Sequence, residues 1–239
     1  MKAMIFAAGL GTRLRPITET IPKPLVEIKG KTLLEITIQK LIENDFDEII
    51  INVHHLADQI ISFLKEKKFD ARIEISDESK QLLDTGGGLK KASWFFDDGK
   101  PFLVHNVDIV SNLDLKKIYQ NHQQNEVIAT LAVSKRKTSR YFIFDEDGIL
   151  SGWQNVKTNE QKITRNITSI NKLAFSGIQV IDPELFKFFP EAEVFSIVDL
   201  YLTTSKLEKI KSFQHEDSNW YDVGNMEELE LLSHLTHKH

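Results

Sequence analysis

The sequence predicts an α/β fold in which helices cover both faces of a mainly parallel sheet. Short apolar runs rich in β-branched residues recur between polar turns, as in strands that are buried on both faces. Segments with helical periodicity separate these runs, so strand and helix alternate along the chain. The length of 239 residues is sufficient for a substantial core in a single domain, 1–239.

The elements follow in order along the chain. In the first half, 1–135, the predicted strands are 3–8, 48–53, 71–75, 101–105 and 127–134, and the predicted helices are 32–44, 56–67, 87–96 and 113–124. In the second half, 136–239, short β segments from Tyr141 to Ile181 predict a small β-rich insertion over the carboxyl edge of the sheet. Three helices are then predicted, at Asp182-Pro183, near 196–207 and from about 226, where Asn225 is the expected cap.

Composition excludes several classes of protein. No apolar run approaches the ~20 residues that span a membrane, and the start of the chain lacks the pattern of a signal peptide. The absence of cysteine excludes disulfides and thiol chemistry and favours a cytoplasmic location. A net charge of −5 argues against a general nucleic-acid-binding protein. We therefore expect a cytoplasmic protein without nucleic-acid or membrane partners, present as a monomer or small homo-oligomer.

The most informative segment is 3–24. Its apolar run ends in Gly9-Leu10-Gly11, and Arg13, Arg15 and Lys23 follow on a loop with three prolines. Glycine lets backbone N–H groups approach an anion closely, and the cations that follow can neutralise a polyphosphate. The segment therefore indicates a site for a nucleoside triphosphate.

Two common glycine loops do not fit this segment. A P-loop needs a second glycine five residues after Gly9, where Leu14 stands, and then a Lys-Ser/Thr pair, which is absent. The dinucleotide fingerprint needs a third glycine where Leu14 stands and an immediate helix, which the prolines of this loop prevent. A nicotinamide dehydrogenase would also need an acidic residue after the second strand, where the chain has 52–54, Asn-Val-His.

The whole string, Gly-Leu-Gly-Thr-Arg-Leu-Arg-Pro followed by Pro-Lys-Pro, resembles the signature of the sugar-1-phosphate nucleotidyltransferases. The resemblance implies a Rossmann-like fold with a nucleotide-binding half, 1–135, and a sugar-binding half, 136–239. It also implies that Arg13 binds the triphosphate and the leaving pyrophosphate, and that Lys23 contacts the reacting phosphates. The further nucleotide contacts in this segment would be Ala8, Gly9, Gly11 and Thr12.

Two aspartates are candidate metal ligands. Asp108 ends a predicted strand, a position that projects into the ligand crevice of an open α/β sheet. Asp222 lies in Trp-Tyr-Asp-Val-Gly, which resembles the family's Trp-x-Asp-Val/Ile-Gly motif. Each aspartate taken alone is more often a turn or cap residue. The resemblance implies that both bind Mg²⁺, an ion that proteins hold with one or two carboxylates plus substrate phosphates.

Further candidate binding residues come from four places in the chain. Three glycines near the start of a helix favour close approach of a ligand, and the resemblance implies that Thr85, Gly86 and Gly87 contact base and ribose. Glu78, which we place on an exposed loop, is a weaker candidate. Phe-Ser-Gly-Ile around Gly177 resembles a sugar-binding segment, although a glycine inside a strand more often marks a bulge. The family's Glu-Lys-Pro motif is not recognisable between 150 and 165, so we assign its role to Lys157.

Within the family, the short length, the Thr-Gly-Gly-Gly segment and the missing Glu-Lys-Pro most resemble N-acetylmuramate-1-phosphate uridylyltransferases. The expected reaction joins UTP and N-acetylmuramate 1-phosphate to form UDP-N-acetylmuramate in cell-wall recycling. Mannose-1-phosphate guanylyltransferase is the first alternative and phosphocholine cytidylyltransferase the second. A non-catalytic nucleotide-binding homologue is a further alternative, which the presence of both aspartates and both cations disfavours.

Overall fold

The structure, a computed structural model, describes residues 1–166, 169–216 and 219–234. Its helices are α1 (Leu33–Glu43), α2 (Ala57–Glu66), α3 (Asp84–Ala92), α4 (Leu115–Gln123), α5 (Ile197–Thr204) and α6 (Met226–His234). Its strands are β1 (Lys2–Phe6), β2 (Glu27–Ile28), β3 (Lys31–Thr32), β4 (Glu48–Val53), β5 (Arg72–Asp77), β6 (Phe102–Asn106), β7 (Ile109–Ser111), β8 (Ala129–Ser134), β9 (Arg140–Phe144), β10 (Leu150–Asn155), β11 (Glu160–Ile163), β12 (Asn171–Ile181), β13 (Ile210–Gln214) and β14 (Trp220–Asp222). Within these ranges, no helix combines the length and apolar character that crossing a membrane requires.

The central sheet confirms the predicted α/β fold. Ten strands form one sheet in the order β11-β10-β9-β12-β6-β1-β4-β5, with β8 beside β12 and β13 beside β8. The strands β5, β4, β1 and β6 are parallel, and β12 runs antiparallel to β6 and β8. The carboxyl ends of β4, β1 and β6 therefore meet at one edge of the sheet, where the loops that follow them can form a common site.

Apolar side chains cover both faces of this sheet. Ala3 and Ile5 of β1 belong to one buried cluster with the apolar residues of α1, whereas Met4 and Phe6 belong to a second cluster with those of α3. Successive side chains of a strand point to opposite faces, so one short apolar run supplies both clusters. This two-sided burial explains why the strands read as continuous apolar runs without alternation.

The β-rich insertion continues the sheet beyond the end of β6. The second half of β12 pairs with β6, and its first residues, Asn171 to Leu173, pair instead with β9. The strands β10 and β11 extend the sheet from β9. Between the two parts of β12, Gly177 has a φ of 74°, and the register with β8 shifts between Phe175 and Gln179. This glycine therefore marks an irregularity at which β12 leaves the central sheet.

Three local predictions need correction. The helix expected at 87–96 begins at Asp84 and ends at Ala92, followed by a 3-10 turn, and its glycines are the third to fifth helical residues. The segment opened by Asp182-Pro183 is a 3-10 helix, Pro183–Phe188, capped by the Asp182 side chain. The strand β13 was not predicted, because its sequence, Ile-Lys-Ser-Phe-Gln, has little apolar character and its pairing with β8 determines its conformation. The expected cap at Asn225 is confirmed, since its side chain accepts from the Glu228 N–H at 3.0 Å.

Candidate active site

A cleft of about 640 Å³ lies at the carboxyl ends of β1, β4 and β6. Eight of the predicted site residues line this cleft: Ala8, Gly9, Gly11, Thr12, Arg13, Lys23, Thr85 and Asp108. Asn52, Asp84, Asn106 and Gly224 also line it, together with apolar residues of these and other loops. The cleft therefore brings the glycine loop, two of its cations and one predicted metal ligand together.

The two glycines of the loop have different structural roles. Gly11 has a φ of 63°, and a Cβ on it would lie 2.8 Å from Cγ2 of Thr18, so the protein itself requires glycine there. The Gly11 carbonyl also accepts a hydrogen bond from the Thr18 hydroxyl at 2.8 Å. No heavy atom lies within 4 Å of a Cβ built on Gly9, which faces the cleft. The space beside Gly9 is thus open to a ligand.

A buried polar network supports the loop from below. The Asn52 side chain accepts from the Ala7 N–H at 2.7 Å and donates to Oε1 of Glu78 at 2.8 Å. Glu78 in turn accepts from the Leu83 N–H at 3.3 Å. The sequence interpretation of Glu78 as an exposed loop residue was wrong, since it is 1% exposed, and burial raises its pKa. Asn52 was missed as a cleft residue, although a polar side chain near the carboxyl end of an apolar strand is a signal for one.

The glycines of α3 pack closely against other parts of the protein and not against the open cleft. The N–H groups of Gly86 and Gly87 donate to the Phe195 carbonyl at 2.9 and 3.2 Å. A Cβ on Gly86 would lie 2.4 Å from the Phe195 ring, and one on Gly87 would lie 2.1 Å from the Glu193 carbonyl oxygen. Helix packing thus accounts for the two glycines, which are buried and outside the lining of the cleft. Contact of Thr85, Gly86 and Gly87 with base and ribose stays a prediction.

These contrasting surroundings predict opposite effects of two alanine substitutions. We expect Gly87→Ala to destabilise the fold, because its Cβ meets a backbone carbonyl and overpacking typically costs about 1–3 kcal/mol. Gly9→Ala should leave thermal stability unchanged and weaken nucleotide binding, because its Cβ enters only the cleft. Thermal unfolding and nucleotide titration of both variants measure this difference. Loss of stability in Gly9→Ala, or an unperturbed melting temperature in Gly87→Ala, would contradict it.

The two predicted metal ligands converge through a short pair of strands. β14 pairs antiparallel with β7, so Asp222 lies opposite Ile109. The Val223 N–H also donates to the Asp108 carbonyl at 2.8 Å, which holds the two segments side by side. Burial and the neighbouring Asp108 carboxylate raise the pKa of Asp222. The two carboxylates therefore lie close enough to repel each other.

Cations compensate this negative charge from the cleft side. Nζ of Lys23 lies 2.5 Å from Oδ2 of Asp108, and Lys23 is only 8% exposed. A Cβ on Gly224 would lie 2.7 Å from an Nη atom of Arg13 and 2.8 Å from Oδ1 of Asp222, so the Arg13 guanidinium lies against the Asp222 turn. Both cations lower the pKa of Asp222 against the larger effects of burial and Asp108.

The carboxylate pair suits a magnesium ion. Oδ1 of Asp222 is buried and has no hydrogen-bond partner in the described part of the chain, an arrangement that costs free energy unless a cation satisfies it. Among the same residues, no group of three or more His, Cys, Asp or Glu side chains is placed to hold a metal. Mg²⁺ needs only one or two protein carboxylates when substrate phosphates complete its shell. Asp108 and Asp222 therefore fit this ion.

The two predicted sugar-binding residues lie in different places. A Cβ on Gly177 would lie 2.8 Å from Cγ1 of Ile109 and 3.0 Å from Nδ2 of Asn106, so Gly177 is next to the strand end that carries Asp108. Lys157 is exposed in the turn between β10 and β11. Three strand spacings, roughly 14 Å, separate β10 from β6. The structure thus brings Gly177 to the carboxylates and leaves Lys157 at the edge of the insertion.

Comparison with known sequences identifies close similarity to one family. The sequence profile described as nucleotidyl transferase matches residues 2–238. The chain is 33% identical over 246 residues to the UTP–glucose-1-phosphate uridylyltransferase of Synechocystis sp., covering 95% of this chain and 61% of that protein. It is 29% identical over 229 residues to the N-acetylmuramate alpha-1-phosphate uridylyltransferase of Neisseria meningitidis, covering 95% of this chain and 94% of that protein. A mannose-1-phosphate guanyltransferase of Aspergillus fumigatus is 29% identical over 192 residues, covering 78% and 51% of the respective chains.

Solved structures show the same fold. HddC from Yersinia pseudotuberculosis, crystallised with GMP-PN, superposes with a TM-score of 0.76 at 23% identity, covering 97% of both chains. A UDP-glucose pyrophosphorylase crystallised with UDP-glucose superposes with a TM-score of 0.72 at 20% identity, covering 97% of this chain and 96% of that one. At these identities the likeness concerns the fold alone.

Proposed function

This chain belongs to the nucleotidyl transferase family, and from that premise we propose that it is an enzyme that transfers a nucleoside monophosphate to a sugar 1-phosphate. The observation that carries the proposal is that Arg13, Lys23 and Asp108 line one cleft and that Asp222 lies beside Asp108 and Arg13. In the proposed reaction, a phosphate oxygen of the sugar 1-phosphate attacks the α-phosphorus of a nucleoside triphosphate. The bond from that phosphorus to the β-phosphate oxygen breaks, and pyrophosphate leaves.

The residues of the cleft have separate roles in this proposal. Arg13, exposed beside the glycine loop, holds the leaving pyrophosphate with its planar guanidinium. Lys23 offsets charge on the α-phosphate from its buried position beside Asp108. Asp108 and Asp222 would hold Mg²⁺, which when bound neutralises phosphate charge and helps align the two substrates. The protein thus acts by positioning and electrostatic stabilisation and needs no nucleophile of its own.

For the substrates, we propose UTP and N-acetylmuramate 1-phosphate. The Neisseria relative supports this choice because the two chains match over nearly their whole lengths, and the Synechocystis relative, of which this chain spans 61%, also uses UTP by its name. The alternative is GTP with mannose 1-phosphate, which the guanyltransferase relatives favour. A role in peptidoglycan recycling, a cytoplasmic location and a monomer or small homo-oligomer stay predictions.

A pyrophosphate-release screen tests the proposal. It crosses UTP, GTP, CTP and dTTP with N-acetylmuramate, N-acetylglucosamine, mannose and glucose 1-phosphates and with phosphocholine, in the presence of Mg²⁺. We expect release that depends on both substrates and is fastest with UTP and N-acetylmuramate 1-phosphate. Activity confined to GTP and mannose 1-phosphate would overturn the substrate choice. Absence of release with every pair would contradict the catalytic function and favour a nucleotide-binding homologue.

A further inference from the structure

Arg136 is a half-buried cation that forms no salt bridge with any described carboxylate. One of its Nη atoms donates to the Phe175 carbonyl at 2.6 Å, and its Nε is buried without a hydrogen-bond partner among the described residues. None of the ion pairs found in the same part of the chain includes it. Its guanidinium stacks over the Trp220 ring, 4.2 Å from the ring centre. The side chain is thus held in place while part of its hydrogen-bonding capacity is unused.

The position of Arg136 is on the sugar side of the carboxylates. Cross-strand partners share a face of a sheet, as do alternate residues of one strand. Trp220 and Asp222 of β14 therefore project to the same side as their β7 partners, Ser111 and Ile109. Ile109 contacts the position of Gly177, so this side faces the predicted sugar-binding segment.

Further contacts link Arg136 to that side. It bonds to the carbonyl two residues before Gly177, and it stacks on Trp220, two residues before Asp222. Oγ of Ser111, the partner of Trp220, is likewise buried without a hydrogen-bond partner in the described ranges. Arg136 and Trp220, with Lys135, His215 and Glu216, line a depression of about 400 Å³ that is separate from the cleft holding Arg13 and Lys23. Cations therefore flank the carboxylate pair on both sides.

A purely structural role accounts poorly for this arrangement. Burial lowers the pKa of Arg136, and the charges of Asp222 and Glu228 and the bond to the Phe175 carbonyl offset this cost only in part. A guanidinium presents a planar fork that matches the two oxygens of a carboxylate or phosphate. Stacking on Trp220 orients that fork before any ligand arrives, which reduces the entropy lost on binding.

We propose that Arg136 binds an oxyanion of the acceptor substrate and thereby determines which sugar phosphates are used. This inference rests on the proposed function, because it assumes that a sugar 1-phosphate occupies the Gly177 side of the carboxylates. The oxyanion is either the phosphate itself or a carboxylate carried by the sugar. N-acetylmuramate and N-acetylglucosamine 1-phosphates distinguish these sources, because they differ by one carboxylate-bearing ether.

The kinetic test compares Arg136→Ala with Arg136→Lys and a matched control. Lys137→Ala removes a neighbouring cation that is exposed and lies outside the lining of the depression. We expect Arg136→Ala to raise the acceptor KM about 10- to 100-fold, the range for hydrogen bonds to charged groups, with no change in the nucleotide KM. Arg136→Lys should recover part of the loss, and Lys137→Ala should behave as wild type. An equal rise in KM for both acceptors supports the phosphate, and a rise confined to the muramate supports the carboxylate.

A binding measurement separates this inference from the proposed function. In a Trp94→Phe, Trp153→Phe background, Trp220 is the single tryptophan, and its fluorescence reports binding of the two sugar phosphates without nucleotide. Circular dichroism and melting temperature establish that each variant is folded. If the wild-type chain releases no pyrophosphate in the full screen, the proposed function is overturned. The fluorescence measurement still gives the acceptor affinity in that case, because it does not depend on turnover. The role of Arg136 would be overturned if Arg136→Ala bound both acceptors as tightly as wild type does. It would also be overturned if neither protein bound either acceptor.

Discussion

Asp108→Asn and Asp222→Asn are each expected to lower kcat/KM by about 10²–10⁴, because a bound metal supplies several kcal/mol of charge stabilisation in the transition state. The two carboxylates are brought together by the pairing of β14 with β7. Asparagine keeps the size of the side chain but removes the charge that attracts the ion. The measurement is the dependence of pyrophosphate release on Mg²⁺ concentration. Asp147→Asn, in an exposed turn, is the matched control and should retain wild-type activity.

Asp222→Asn should lower activity, but in the absence of metal it should raise the stability of the fold. Its raised pKa means that folding disfavours the charged form, so this group's contribution to stability is fully present below the unfolded pKa. The contribution is lost as the pH rises through the folded pKa, and at neutral pH the charge is destabilising. We therefore expect Asp222→Asn to raise the melting temperature of the metal-free protein, by roughly 2–4 °C for each 1 kcal/mol in a chain of this size.

A thermal-shift titration checks both effects in one experiment. Mg²⁺ together with nucleotide should stabilise the wild-type protein and the Asp147→Asn control, and the two active-site variants should respond far less. Equal stabilisation of all four proteins by Mg²⁺, or wild-type turnover in Asp222→Asn, would refute the assignment of the carboxylate pair to the metal.

Lys23→Ala is expected to reduce kcat by about 10²–10³, by analogy with loss of one preorganised donor at a developing negative charge. Lys23 is buried in the cleft wall and bonded to Asp108, so its ammonium is held where a phosphate can approach. Lys23→Met should show the same loss while preserving most of the packing volume. Lys31→Ala, an exposed lysine in β3, serves as the control for general charge loss.

For the Lys23 variants, a loss of activity has to be distinguished from a loss of folding. The Asp108 side chain is 21% exposed, so water can still reach its carboxylate after Lys23 is removed. We therefore expect both Lys23 variants to fold, with melting temperatures within a few degrees of wild type. Rapid turnover by folded Lys23→Met would show that Lys23 does not act on the reacting phosphates.

The sequence by itself determined the alternation of strands and helices, the anion-binding character of the glycine loop and the family. These features depend on residues that are close together in the sequence. β1 has to be apolar on both faces, and Gly11 has to adopt a positive φ. Because such requirements are local, they leave periodic patterns and compact motifs that a single chain shows directly.

Only the tertiary structure decided what surrounds each candidate residue. It placed Asp222 beside Asp108 through the β7–β14 pair and buried Glu78 under the glycine loop. It also packed the α3 glycines against protein atoms and set Arg136 over Trp220. The physical reason is that burial, charge coupling and unsatisfied polar atoms arise between segments far apart in the chain. Their contacts depend on strand pairing, which no local pattern specifies.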